Sequence, residues 1–336
     1  MREAFGAEFD IADTYVNTPS IGVPPAHVAA AVANAVERWR TGANRAPEFD
    51  EPTRQARAAF ARLIGVPTDT VAIGATASSL IAMVAASLPD GARVLTAAGE
   101  FTSVSFPFAA QARRGVTVTE VPLADVPELA GGYDLVAVSV VQSADGARVD
   151  LDALRAAGVP VLLDASQAAG WLPLRLDWAD WVVAAGYKWL LSPRGAAWLA
   201  VHPRALERTV PVAANWYATE DPWEDVYGLP LRLAHSARRL DLAPVWLAQV
   251  GAAVALPYLA ALDPEQVRAH CVGLANALRA GLGLAAGDSA IVSFGADVER
   301  LSAAGIRVAA RAGKARAGFF VYNTMSDVER ILRAME

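Results

Sequence analysis

Short apolar segments alternate with amphipathic segments along the first two thirds of the chain. Runs of apolar and β-branched residues predict seven strands: Thr70–Ile73, Ala92–Ala97, Val116–Val121, Asp134–Val141, Val159–Leu163, Trp181–Ala185 and Ala196–Val201. Apolar residues at helical spacing predict four helices: Ala29–Arg40, Glu51–Ile64, Ser78–Leu88 and Phe106–Arg113. Because near-continuous apolar strands separated by helices are typical of a parallel sheet covered on both faces, the pattern predicts an α/β fold.

The pattern changes after residue 203. Residues 211–233 are aromatic and loop-like, and a long helical region then runs to about Ala280. The tail predicts five short elements: strand Ala290–Phe294, helix Asp297–Ala304, strands Ile306–Ala309 and Ala315–Val321, and helix Ser326–Met335. This order indicates a small α+β domain. We expect a large domain at residues 21–265 and a small C-terminal domain at residues 266–336, with residues 1–20 as an N-terminal segment of the small domain.

One uncharged stretch raises the question of whether the chain enters a membrane. Residues 242–262 carry no charge and are long enough to span a bilayer. However, Pro244, Gln249, Gly251 and Pro257 interrupt the stretch, and charged segments flank it closely. We therefore interpret it as a buried helix, in the core or at a subunit interface, and expect no membrane partner.

Composition excludes several classes of function. The 336 residues carry a net charge of −6 without a basic stripe, so we expect no nucleic-acid partner. Cys271 is the only cysteine, which excludes intrachain disulfides and Cys-rich metal sites. The four histidines lack metal-binding spacing, so we expect no metal. The first residues lack the apolar core of a signal peptide, and we expect a cytoplasmic protein.

Lysine is unusually scarce. Of the 29 Lys and Arg residues, only Lys188 and Lys314 are lysines. Arg stays protonated, whereas Lys can lose its proton and act as a nucleophile or form an imine. Genomic drift explains the scarcity, but a retained lysine still invites inspection of its surroundings.

Two polar residues follow predicted core strands. Asp164 comes directly after the strand Val159–Leu163, and Lys188 follows the next strand between Tyr187 and Trp189. The carboxyl ends of parallel strands are where ligands bind in such sheets. Aromatic, low-dielectric surroundings lower the pKa of an amine, as a lysine nucleophile requires.

A third motif is the turn Gly74–Ser79 between a predicted strand and a predicted helix. Its small residues let backbone N–H groups approach a phosphate, and the helix N-terminus adds its dipole. The hydroxyls of Thr76, Ser78 and Ser79 supply further donors. Together, a phosphate site, a carboxylate and a lysine at successive strand ends match pyridoxal 5'-phosphate as cofactor, with Lys188 as the imine-forming residue and Asp164 on the ring nitrogen.

The residues around Asp164 and Lys188 resemble a known family. The segments 164–170 (DASQAAG) and 186–195 (GYKWLLSPRG) are similar to the class V aminotransferases among fold-type I PLP-dependent enzymes, which include cysteine desulfurases and isopenicillin N epimerase-like enzymes. The similarity runs from about Tyr15 to Thr324. It implies an amino-acid substrate and a homodimer with the active site at or near the subunit interface.

The resemblance also implies roles for individual residues. Lys188 and Asp164 become the catalytic pair. The other implied contacts of the cofactor are Ala75 and Thr76 at the phosphate, Phe101 on the ring face, Gln167 at the ring hydroxyl, and Ser143 and Tyr187 beside the ring. Arg316 matches the arginine that binds the substrate α-carboxylate, and Asn17 and Trp216 are the other candidates for substrate binding.

Two positions depart from the family pattern. Ser143 stands where many relatives have an Asn near the ring. Residues 242–244 (LAP) replace the usual Gly-Thr-Pro-type turn, so it stays open whether the preceding Arg238 or Arg239 reaches the partner subunit's phosphate.

The residues leave several reactions open. A persulfide-forming cysteine desulfurase needs a mobile cysteine, but Cys271 lies on a predicted helix and reads as a buried apolar residue. Transamination is our first prediction, and β-elimination such as C–S lysis, or epimerisation, is the alternative. The Gly-rich segment 281–287 has the wrong spacing for a nicotinamide dehydrogenase. A degenerate, non-enzymatic dimer is disfavoured because both Lys188 and Asp164 are present.

Overall fold

The computed structural model describes residues 1–336 and contains fourteen strands and eleven α-helices. The strands are β1 (Arg2–Ala4), β2 (Ala7–Phe9), β3 (Thr14–Tyr15), β4 (Val71–Gly74), β5 (Arg93–Ala97), β6 (Thr117–Val121), β7 (Leu135–Ser139), β8 (Val161–Asp164), β9 (Trp181–Ala185), β10 (Ala197–Val201), β11 (Ile291–Phe294), β12 (Ile306–Arg307), β13 (Ala309–Arg311) and β14 (Lys314–Gly318). The helices are α1 (Ala26–Arg40), α2 (Asp50–Ile64), α3 (Ala77–Ser87), α4 (Thr102–Ala109), α5 (Val126–Leu129), α6 (Leu151–Ala156), α7 (Pro203–Leu206), α8 (Trp246–Ala261), α9 (Pro264–Gly281), α10 (Val298–Ala303) and α11 (Met325–Met335).

Seven strands form the central sheet, in the order β4-β10-β9-β8-β7-β5-β6. All its neighbouring pairs are parallel except those of β10, which runs antiparallel to both β4 and β9. Successive residues along a strand face opposite sides, so Val182 and Ala184 enter one hydrophobic cluster while Trp181 and Val183 enter another. Both faces of β9 are therefore buried, and the predicted α/β fold with a mainly parallel sheet is confirmed.

Helices α1, α2 and α8 pack against one another and contribute to one of these clusters. The uncharged stretch forms α8, in which eight residues are buried, and Trp246 at its start stacks on Phe49 at 4.9 Å between ring centroids. Asp263 caps α9 and Pro264 occupies its first turn, so the long helical region divides into two helices. None of the helices alone could cross a membrane; α8 and α9 satisfy the length and composition criteria only as a pair bent by 91°.

The C-terminal strands form a second, three-stranded sheet in the order β11-β14-β13. The N-terminal segment joins this part of the chain, because β3 pairs with β12 and Asn17 bridges to Gly318. Val16 is buried in the same apolar cluster as Phe294 and Phe319. The domain boundaries at residues 20 and 265 stay a prediction.

Three elements differ from the predicted bounds. Helix α4 lies four residues earlier than predicted, because it begins directly after Phe101 and tolerates Pro107 within it. The predicted strand Ile306–Ala309 divides into β12 and β13, since one half pairs with the N-terminal segment and the other with β14. The predicted strand Ala315–Val321 ends at Gly318, where its pairing with β11 ends.

A buried ion pair connects strand β4 of the central sheet with helix α2 and with the segment that leads to α8. Arg57 on α2 makes a bidentate pair with Asp241, at Nη1–Oδ1 2.9 Å and Nη2–Oδ2 2.6 Å. Asp241 also accepts a hydrogen bond from the Ile73 N–H of β4, and Arg57 donates to the Val71 carbonyl. The carboxyl group of Asp241 is inaccessible to solvent. The pair therefore fixes α2, β4 and the segment leading to α8 relative to one another.

We predict that Asp241→Ala lowers the free energy of unfolding by about 3–5 kcal/mol, because it leaves the buried Arg57 guanidinium without its counter-charge. The matched control is Glu51→Ala on α2, the helix that carries Arg57. It removes an exposed ion pair with Arg54 and changes stability by less than about 1 kcal/mol. Urea unfolding of the three proteins measures the difference. Equal stability of both variants would contradict the role given to Asp241.

Candidate active site

Lys188 lies in a turn at the carboxyl end of β9 and only 6% of it is exposed. The Lys188 carbonyl accepts from the Leu191 N–H, and the Gly186 carbonyl accepts from the Ser192 N–H. Gly22 packs against this turn so closely that a Cβ on it would lie 2.0 Å from the Lys188 carbonyl oxygen. The backbone that carries the lysine is therefore held from two sides, and position 22 requires glycine.

The surroundings of the Lys188 amine favour its neutral form. Its Nζ lies 5.1 Å from the centre of the Phe101 ring and 5.8 Å from that of Tyr187. Burial lowers the pKa of Lys188 to about 8, against the opposing effect of the Asp164 carboxylate. The guanidinium groups of Arg316, Arg311 and Arg194 act in the same direction as burial and contribute to this lowered value. The amine can therefore lose its proton close to neutral pH, as a nucleophile or proton carrier must.

Asp164 is the last residue of β8 and is buried. Its carboxylate accepts from the Ser166 N–H at 2.7 Å, and the Ser166 hydroxyl accepts from the Ala185 N–H at 2.9 Å. These two bonds tie the end of β8 to the end of β9. Asp164 and Lys188 consequently line the same cavity, together with Phe101 and Tyr187.

The start of α3 also lines this cavity. Thr76 caps the helix by accepting from the Ser79 N–H at 3.1 Å, and Ala75, Thr76 and Ser78 all line the cavity. The first N–H groups of a helix have no acceptor within it, so Ala77 and Ser78 offer donors to an anion here. A phosphate fits this position, and Asp164 and Lys188 fit the ring nitrogen and aldehyde of the same cofactor.

Arg316 is a second buried cation, 1% exposed, on β14. It donates to the Ser143 hydroxyl at 3.1 Å, to the Ser143 carbonyl, and to the Ser20 hydroxyl at 2.8 Å. Its Nε has no hydrogen-bond partner, and no carboxylate pairs with it. Burial, with the nearby Arg311, lowers the pKa of Arg316 to about 10. An uncompensated guanidinium with a free donor suits the carboxylate of a substrate.

Gln167 does not line the cavity but supports it. Its Nε2 donates to the Pro19 carbonyl at 2.9 Å and to the Ser143 hydroxyl at 3.2 Å, while its Oε1 accepts from Trp189 Nε1 at 2.7 Å. Both amide hydrogens are thus engaged by the protein. In this arrangement Gln167 positions Ser143 and has no free N–H for the ring hydroxyl of a cofactor.

None of the three candidates for substrate binding, Arg316, Asn17 and Trp216, is among the residues that line the cavity. Asn17 is in the segment that bridges to Gly318, and its Oδ1 is buried without a hydrogen-bond partner. Trp216 packs against Tyr217 and Trp223, with ring centroids 5.2 and 4.9 Å away. The structure therefore groups Trp216 with an aromatic cluster of the loop and not with Lys188.

Arg238 and Arg239 are both engaged within their own chain. Arg238 donates to the carbonyls of Thr219 and Glu220, at 3.0 and 3.2 Å, and Arg239 pairs with Glu207 at 2.9 Å. A contact of either residue with a partner subunit's phosphate stays a prediction.

Glu100 is a further residue of the site that was not predicted from the sequence. This buried carboxylate follows β5 and accepts four hydrogen bonds: from the Phe101 N–H, from the N–H and hydroxyl of Ser139, and from Gln142 Nε2. Burial raises the pKa of Glu100, and no cation pairs with it. It ties the segment that carries Phe101 to the end of β7, which leads to Ser143. Its signal was an acidic residue at a strand end, the feature that identified Asp164.

Sequence comparison identifies relatives of this chain. A profile described as aminotransferase class-V matches residues 26–291. An uncharacterized aminotransferase of Bacillus subtilis, YcbU, is 29% identical over 238 residues, which is 66% of this chain and 63% of YcbU. The isopenicillin N epimerase of Streptomyces clavuligerus is 28% identical over 246 residues, 64% of this chain and 61% of the epimerase. The chain thus matches less than two thirds of the length of either relative.

Solved structures share the fold. The apo cysteine desulfurase of Thermococcus onnurineus NA1 superposes with a TM-score of 0.84 at 19% identity, covering 96% of this chain and 94% of that one. The cystine C-S lyase C-DES, in complex with cysteine persulfide, gives a TM-score of 0.86 at 21% identity, covering 96% and 97%. These likenesses confirm the predicted fold-type I architecture.

We predict that acylation of Lys188 in the cofactor-free protein rises with pH through a midpoint near 8. Below that pH the amine is protonated and unreactive, and above it the neutral amine attacks, whereas an ordinary lysine would need a pH near 10.5. Acetic anhydride labelling followed by peptide mass spectrometry measures the rate. Lys314→Arg should leave the profile of Lys188 unchanged. A midpoint near 10.5 would contradict the effect attributed to burial.

Proposed function

Because the chain belongs to the aminotransferase class-V family, we propose that it is a pyridoxal-phosphate-dependent enzyme that acts at the α-carbon of an amino acid in an aminotransferase-type reaction. The observation that carries the proposal is the meeting of Lys188, Asp164 and the start of α3 around one cavity. Pyridoxal phosphate as the predicted cofactor is confirmed at the level of the family. The B. subtilis relative, named an aminotransferase, supports transamination as the first candidate.

Each side chain has a distinct task in this proposal. Thr76 and Ser78, with the N–H groups at the start of α3, hold the phosphate. Asp164 keeps a proton on the ring nitrogen, and the Phe101 ring covers the face near Lys188. The bound cofactor supplies an electron sink that makes a bond at the α-carbon easier to break.

Lys188 and Arg316 act on the amino acid. Lys188, whose pKa is lowered to about 8, would bind the cofactor at its aldehyde carbon, and its free amine would take the proton at the substrate α-carbon. Arg316 orients the substrate through its α-carboxylate with the N–H groups that Ser143 and Ser20 leave unused, the Nε–H among them. Positioning by Ser143 and Ser20 keeps this guanidinium in one orientation.

We exclude persulfide formation from the proposal because of the position of Cys271. This side chain is fully buried within α9, and burial raises the pKa of its thiol. A sulfur acceptor must be an accessible thiolate that can approach the substrate. The likeness of the fold to a cysteine desulfurase does not supply such a residue.

We further propose a homodimer with the active site near its interface. Phe101 at the cavity is 41% exposed, and Phe106, five residues further along the chain in α4, is 64% exposed. Tyr227 and Leu229 of the long loop are 88% and 89% exposed. Apolar surface of this kind is typical of subunit contacts. The cytoplasmic location stays a prediction.

The test is to incubate the cofactor-loaded protein with a panel of amino acids and to identify the products. Transamination predicts an oxo acid from the substrate and a pyridoxamine form of the cofactor that an added oxo acid restores. Lys188→Arg should reduce turnover by at least about 100-fold, since an arginine neither forms the imine nor accepts the proton. The matched control Lys314→Arg should retain turnover.

Three results would change the assignment. Pyruvate with ammonia would establish β-elimination in place of transamination. Exchange of the α-proton with solvent and inversion at the α-carbon, without another product, would establish epimerisation. Full turnover by the Lys188→Arg variant would overturn the assignment of the catalytic lysine.

A further inference from the structure

The hairpin β13–β14 presents three cations on one face. Arg311 stands opposite Lys314, and Ala309 stands opposite Arg316. Directly paired residues of antiparallel strands share a face, as do alternate residues along one strand. Arg311, Lys314 and Arg316 therefore all project from the same side of the hairpin, with Arg316 at the buried end and the other two near the turn.

The turn fixes this arrangement. Ala312 and Gly313 connect the strands with φ values of 47° and 74°. Two consecutive residues with positive φ form the type I′ turn that matches the twist of a tight hairpin. Arg311 is thus held in register with Arg316 rather than placed on a loose loop.

Arg311 and Arg316 converge on one hydroxyl. The Ser20 Oγ lies 2.8 Å from Arg316 Nη2 and 3.4 Å from Arg311 Nη2. Both guanidinium groups also lie close enough to Lys188 to lower its pKa. Arg311 therefore lies beside Arg316, the group proposed to bind the α-carboxylate.

None of the three cations has an acidic partner. The ion pairs of the chain include neither Arg311, Lys314 nor Arg316, although Arg307, nearby in the sequence, pairs with Asp13 at 3.4 Å. Like charges held together without a counter-charge repel one another and favour binding of anions. One substrate carboxylate forms a bidentate pair with one guanidinium, here that of Arg316. Arg311 and Lys314 are then left without a negatively charged partner.

We propose that Arg311, assisted by Lys314, binds a second negatively charged group of the substrate, so that the enzyme selects amino acids with an acidic side chain. This inference rests on the proposed function, because it assumes that Arg316 holds the α-carboxylate. It adds a specificity-determining residue that contacts the substrate at its distal end, outside the reacting bonds.

The experiment compares acids with their neutral, equally large amides. L-aspartate, L-asparagine, L-glutamate and L-glutamine are titrated into the cofactor-loaded protein, and dissociation constants are taken from the change in cofactor absorbance. We expect at least one acid to bind about tenfold or more tightly than its amide, which corresponds to about 1.4 kcal/mol. Because Arg311 is exposed, added salt should reduce this ratio.

Variants identify the residue responsible. Arg311→Gln should weaken binding of the acid about tenfold and change binding of its amide less than about twofold, while Arg311→Lys should retain much of the preference. Lys314→Gln should give a smaller loss of the same kind. Arg307→Gln, which removes a neighbouring exposed cation that is paired with Asp13, should leave the ratio unchanged.

The outcomes separate this inference from the function on which it rests. Equal affinity of the wild-type protein for both acids and their amides would overturn the second acidic subsite alone. An Arg311→Gln variant that loses affinity equally for acid and amide would also overturn it, since Arg311 would then serve the α-carboxylate. An absorbance that no amino acid changes would overturn the proposed function, and this inference with it.

Discussion

Burial of the Lys188 ammonium is the constraint on which the active site depends. Removing an amine from water favours its neutral form, and here one carboxylate, Asp164, stands against three guanidinium groups in the same surroundings. The amine stays in these surroundings because the backbone around Lys188 is fixed by its own turn and by Gly22. A lysine so held loses its proton near pH 8, well below the 10.5 of an ordinary lysine.

The N-terminal segment connects the parts that surround this lysine. The Gly22 N–H donates to the Tyr187 carbonyl, the Pro19 carbonyl accepts from Gln167, and the Ser20 hydroxyl accepts from Arg316. One stretch of four residues thus contacts the end of β9, the segment after β8 and the C-terminal hairpin. Glu100 performs a comparable task on the other side by joining the ends of β5 and β7. The geometry of the site follows from these connections more than from any single element.

Much of the fold and the centre of the site could be predicted from the sequence. Apolar runs locate buried strands, and the residue after a parallel strand faces the ligand edge, so Asp164 and Lys188 could be found without coordinates. The antiparallel direction of β10 could not, because its apolar run looks the same in either direction. Gln167 shows a second limit: a sequence match indicates which residue is present, whereas its hydrogen bonds to Pro19 and Ser143 appear only in the structure.

The central claim is that Lys188 alone carries the cofactor, and the most direct measurement locates the attachment point. The protein is loaded with pyridoxal phosphate, reduced with borohydride and digested, and the modified peptide is identified by mass spectrometry. The account predicts a phosphopyridoxyl group on Lys188 and none on Lys314, because only Lys188 lies in the cavity with Asp164 and the start of α3. A stoichiometric modification of Lys314, or none on either lysine, would contradict it.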